Sequence, residues 1–96
     1  MDSRELEGNL LARCAAAAHG QFSVAQNQRE ANVFRVAAMV VQHNFPQESS
    51  HLMDASNRYF GRYPGERLSA EDVVRNGWIF SFPRLRDMLT LRLRQG

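Results

Sequence analysis

The order of apolar and polar positions predicts four to five helices and no convincing sheet. Leu6, Leu10, Cys14 and Ala17 or Ala18 fall on one side of a helix running from near Ser3 to His19. Gly20 follows as a left-handed cap. Gly8-Asn9 weakens the first turn and places the firm part of this helix from Leu10 onward. The tract Cys14-Ala15-Ala16-Ala17-Ala18 carries little bulk, which favours helix and lets another helix approach closely.

A second helix is predicted from a capping box, Ser23 with Gln26 three residues on, in which each side chain satisfies an orphan amide. It runs to about Asn44, where Phe45-Pro46 stops it, because the residue before proline avoids the helical region. Its first half is polar, from Gln26 to Asn32. From Val33 to Val41 only Arg35 is charged, and the eight apolar side chains cover nearly the whole circumference. A surface helix needs one apolar stripe. This helix is therefore central, or it buries a second face against another chain.

Residues 46–50 open a third helix, with Ser49 or Ser50 as its cap and Leu52, Met53 and Ser56 facing inward. It fades by Phe60-Gly61, and Gly61 to Gly65 reads as a turn or loop. Ser69 with Asp72 caps a short fourth helix holding Val73 and Val74, closed by Asn76-Gly77. Trp78 to Phe82 is apolar and aromatic. It resembles a strand but has no partner strand, and is read as an extended, core-packed connector. Pro83 suits the first position of a last helix with Leu85, Met88, Leu89, Leu91 and Leu93 in a wide arc. The tail from Leu89 to Arg94 also alternates with period two, so a strand competes there. The expected fold is an all-α bundle of four to five helices, with the aromatic connector before the last.

With 96 residues the chain forms one domain, 1–96, since two halves would each be too small for a core. Apolar residues make up 44%, which argues against wholesale disorder. There is no apolar run of membrane-spanning length, so no membrane is expected. The polar opening (Asp2, Arg4, Glu5, Glu7) is unlike a signal peptide, and the single cysteine, Cys14, cannot pair internally; both point to the cytoplasm. All twelve basic residues are arginine. Bidentate pairing is one reason for such a choice; the codon bias of a GC-rich bacterial or phage genome is another, and the abundant alanine favours it. The net charge of +2 is small, but residues 1–57 sum to −2 and residues 58–96 to +4, an asymmetry able to steer a charged partner.

No constellation for chemistry stands out. Cys14, His19, His43, His51 and Asp54 lack the short ligand spacings of a metal site, and Cys14 sits among alanines like an inert core thiol. The serines at 23, 49, 50 and 69 read as helix caps, and no phosphate-cradling or dinucleotide-binding glycine motif is present. Glu71-Asp72 suit the positive end of a helix dipole. The sequence thus implies no catalytic residues, no metal and no cofactor. The expectation is a small non-enzymatic regulator, adaptor or inhibitor that binds another protein. The interface residue types Tyr59, Arg62, Tyr63, Trp78 and Arg84 are the candidates to meet it. A homodimer is expected through Val33, Val36, Met39 and Val40. The alternative is a DNA-binding regulator using the Arg-rich C-terminal third through Arg84 and Arg86, although the connector is longer than a helix-turn-helix allows. Stacking of single-stranded bases on Tyr59, Phe60 and Tyr63 is a further possibility, weighed against simple packing of these rings under a loop.

Overall fold

The computed structural model describes residues 3–95, and these are all-helical with no strand among them. The helices are α1 (Ser3–Ala18), α2 (Gln28–Val41), α3 (Pro46–Arg62), α4 (Ala70–Arg75) and α5 (Phe82–Gln95). None of them is long and apolar enough to cross a membrane. α1 ends one residue before the expected His19, in a Schellman motif. Gly20 N–H donates to Ala17 O (2.9 Å) and Gln21 N–H to Ala16 O (3.0 Å), with Gly20 at φ +82°. Gly8 does not delay the helix, which is regular from its first described residue.

α2 starts later than the sequence implies. Ser23 and Gln26 form no capping box. Asn27 is the cap instead, its Oδ1 accepting Glu30 N–H at 2.8 Å. Two tertiary bonds explain the shift. Ala25 N–H is drawn to Ala55 O on α3 (3.1 Å), and the Glu30 carboxylate accepts Gln26 N–H (3.1 Å), so both amides have partners outside a helix. At its other end α2 stops at Val41, short of Asn44, and a turn leads to Pro46 as the first residue of α3. Neither Ser49 nor Ser50 caps α3. Ser49 Oγ donates to Ala38 O (2.7 Å), tying the start of α3 to the end of α2. These bonds make α2 and α3 an antiparallel hairpin, the most extensive helix pairing in the molecule.

α1 and α5 cover this hairpin and run parallel to each other. Glu7 meets Arg84 near their starts, and Ala15, His19, Arg92 and Gln95 line one cleft near their ends. α5 is a helix through Gln95, so the period-two alternative does not form; Leu85, Leu89 and Leu93 are buried at spacings of four. That stripe is narrower than the expected arc. Leu91 is 58% exposed and Met88 only half-buried. Ser69 caps α4 as expected, accepting Asp72 N–H at 3.2 Å, and Gly77 closes it at φ +76°. In the connector Ile79 is buried, Trp78 is half-buried and Phe80 is exposed.

The central position of α2 accounts for its apolar circumference. Val33, Phe34, Val36, Ala37, Ala38 and Val41 are all buried within the one chain. Gln28, Asn32, Arg35 and Met39 lie on one stripe, four, three and four residues apart. The loop after α3 covers that stripe as far as Arg35, which donates to Leu68 O, and Met39 lies beyond it, 41% exposed.

Val36→Glu is expected to unfold the chain. An unpaired carboxylate in that core costs on the order of a small domain's whole stability, about 5–15 kcal/mol. Met39→Glu, one turn away but outside the core, is expected to change stability by less than about 0.5 kcal/mol. Thermal melts followed by circular dichroism compare the two; equal destabilisation would contradict this placement of α2.

Candidate functional site

The longest run of consecutive exposed residues that also carries arginine and aromatic side chains is 61–67, at the end of α3 and in the loop beyond it. α3 ends where Tyr63 turns extended, its N–H still donating to Tyr59 O (2.9 Å). Pro64 and Gly65 then prevent continuation. Gly65, at φ +157°, packs on the side chain of Gln28, and an added Cβ would approach Gln28 Cδ to 3.2 Å.

This exposed loop is held by side chains of α2. Asn32 is fully buried, yet its amide serves the loop. Nδ2 donates to Glu66 O (3.1 Å) as well as to Gln28 O (3.1 Å), and Oδ1 accepts Leu68 N–H (2.8 Å). Gln28 Nε2 donates to Glu66 O at 3.3 Å and an Arg35 guanidinium nitrogen to Leu68 O at 3.0 Å. Apart from the Asn32 bond to Gln28 O, which stays within α2, these bonds reach main-chain atoms of the loop. The loop's path is therefore held through its main chain, with the side chains of 61–67 exposed.

A linked aromatic group stands beside it. Tyr59 meets Phe60 edge-on (centroids 5.4 Å apart) and lies tilted against Tyr63 (5.1 Å), while Arg67 sits 4.8 Å over the Phe60 ring. Tyr63 is 52% exposed, and Arg62 is exposed on the same last turn. Three of the five expected partner residues, Tyr59, Arg62 and Tyr63, thus lie together. The other two do not join them through any contact among the described residues. Trp78 carries Arg29 over its ring at 5.6 Å. Arg84 is tied to Glu7 (2.7 Å) at the junction of α1 and α5, and stacks on Phe80. Its DNA-reading companion Arg86 contacts neighbouring Asp87 at 3.1 Å, both exposed. Of the four residues expected at a dimer contact, Val33 and Val36 are inside the monomer core and offer no surface to a second copy. Val40 is half-buried and Met39 exposed.

The titratable residues are partly gathered. His51 and Asp54 line a cleft with Phe22, Ser23 and Arg58, whereas His43 is exposed on the turn after α2 and His19 at the end of α1. No group of three or more His, Cys, Asp or Glu side chains among the described residues could hold a metal ion. Cys14 is fully buried, and burial pushes its thiol pKa up, with the nearby Glu30 carboxylate adding to the rise.

The residues that sequence reasoning missed are Asn32 and Gln28. Their signal was present: two amide side chains one helical turn apart, at the edge of a helix that otherwise turns apolar. No protein-family model, no curated protein and no solved structure matches the chain.

Asn32→Ala is expected to strand the Leu68 amide, costing about 1–3 kcal/mol. Helix content should persist while trypsin cuts faster after Arg67; unchanged cleavage would mean that the clamp does not hold the loop. Cys14 is expected to ignore a thiol-specific disulfide reagent in the folded protein and to react fully in denaturant. Fast reaction in native buffer would contradict its burial.

Proposed function

We propose that this protein is a non-enzymatic binding module that meets another protein through the end of α3 and the loop beyond it. One observation carries the reading: the fully buried Asn32 uses its side chain to fix the main chain of an exposed loop. A loop ordered in advance loses less conformational freedom on binding, so more of the contact energy appears as affinity. Loops on a rigid scaffold are common places for recognition. The side chains offered there are the kinds that dominate interface hot spots: Tyr59, Arg62 and Tyr63, with Arg67 beside them.

The regulator, adaptor or inhibitor role follows as occlusion of whatever surface this loop covers on its partner. Self-association has less support. With Val33 and Val36 inside the monomer, a second copy on α2 would rest on Met39 and Val40, far less than a stable dimer buries. Nucleic-acid binding through the last helix also has less support, because Arg84, one of its two expected reading residues, is held by Glu7.

Photo-crosslinking tests the assignment. With benzoylphenylalanine replacing Arg62 or Tyr63 in the native cell, a covalent protein adduct of one defined mass is expected. The same residue at Gln47 or Gln95 should give none. Arg62→Glu should weaken the purified complex by about 2 kcal/mol or more, the scale of a hot spot. Adducts forming only from Gln95, or a complex indifferent to Arg62 and Tyr63, would refute the surface. A gel shift of duplex DNA that fades steeply with salt would favour the nucleic-acid reading instead.

A further inference from the structure

The cleft between the end of α1 and the outer face of α3 holds unused polar capacity of three kinds. It measures about 330 Å³ and is lined by Phe22, Ser23, His51, Asp54 and Arg58, with Gly20 at its edge. His51, Asp54 and Arg58 are three and four residues apart on α3, so all project on one helical face. Such neighbours commonly pair with one another. Here they do not.

His51 Nδ1 lies 3.0 Å from Ala18 O. A carbonyl oxygen only accepts, so Nδ1 carries the proton, and of the two tautomers of the uncharged ring this contact selects the one with its lone pair on Nε2. The ring lies against Gly20, where an added Cβ would come within 3.5 Å of Nδ1 and Cε1. The Arg58 guanidinium donates through one nitrogen to Ser23 O at 3.0 Å, and the rest of its fork is uncommitted. Asp54, between the two, has neither an ion pair nor a hydrogen bond among the described residues. Main-chain carbonyls have thus drawn both potential partners away from it.

We infer that this cleft binds a small zwitterion, a free α-amino acid, through the uncommitted valences of His51, Asp54 and Arg58. The ligand's ammonium group donates to the Asp54 carboxylate and to His51 Nε2. Its carboxylate accepts from the remaining fork of Arg58, and its side chain rests toward Phe22. A plain anion would meet the repulsion of Asp54, and a plain cation that of Arg58. A ligand with both charges a few bonds apart satisfies both, and the fixed imidazole adds an acceptor whose position is set before binding. This assignment is independent of the protein-binding loop.

Nuclear magnetic resonance titration of the full chain tests it, with glycine, L-leucine, L-glutamate and L-arginine as probes and with acetate and methylammonium as half-ligands. At least one amino acid is expected to shift the His51 ring signals together with the amides of Ser23 and Asp54. Neither half-ligand should do so at the same concentration. Asp54→Asn and Arg58→Gln should each weaken the bound probe by about tenfold or more, the loss of one charge-assisted hydrogen bond. Asp54 is exposed, so its variant keeps the fold and isolates the effect. Silence from all four amino acids overturns the inference. So does binding of acetate as strong as that of the amino acids and strengthened by Asp54→Asn, which would mark a simple anion site.

Discussion

Arg13 and Glu30 form the contact on which the other elements depend. The guanidinium meets the carboxylate twice, Nε to one oxygen at 2.8 Å and a terminal nitrogen to the other at 2.7 Å. The Glu30 side chain is only 1% exposed, and its hydrogen bond to Arg13 raises the guanidinium's pKa further above its ordinary value. The guanidinium also lies over the Phe22 ring, 3.7 Å from its centroid, so the segment after α1 is gathered into the same cluster. Removing one partner from a buried pair costs about 3–5 kcal/mol, because the other is left charged and dry. Arg13 keeps 28% exposure, which puts the loss of Glu30 below that range and the loss of Arg13 within it.

Its consequences extend along α2. Glu30 also accepts the Gln26 amide while Asn27 caps the Glu30 amide, so the pair sits where the helix starts, and by holding Glu30 toward Arg13 on α1 it fixes the rotational phase. With that phase set, Val33 and Val36 enter the core, and Gln28, Asn32 and Arg35 face the loop between α3 and α4. The same buried pair therefore governs both the core and the path of the exposed loop.

Much of this was legible in the chain, and the gaps have common physics. The glycine and serine signals at Gly20, Ser69 and Gly77 are local, and each appears where spacing alone put it. The start of α2 was not legible, because Asn27-x-x-Glu30 competed with Ser23-x-x-Gln26, and the partners that favour the former lie far along the chain: Ala55 for the Ala25 amide and Arg13 for the Glu30 carboxylate. The apolar girth of α2 implied either a central helix or a second chain, and only tertiary packing could separate them. For the candidate surface, residue type found Tyr59, Arg62 and Tyr63. It could not see that Arg84 is claimed by a glutamate 77 residues earlier, nor that Trp78 sits with Arg29. Long-range ion pairs leave no periodicity to read.

The loop clamp has a bearing on how this chain can change over time. Asn32, Gln28 and Arg35 hold the carbonyls of Glu66 and Leu68 and the amide of Leu68, groups common to nearly every amino acid. The clamp itself therefore uses none of the side chains at Arg62, Tyr63, Glu66 and Arg67. If this loop is the proposed binding surface, recognition and folding rest on separate residues, and one set can drift while the other stays constant. A library varied at those four positions would present its diversity on an unchanged backbone.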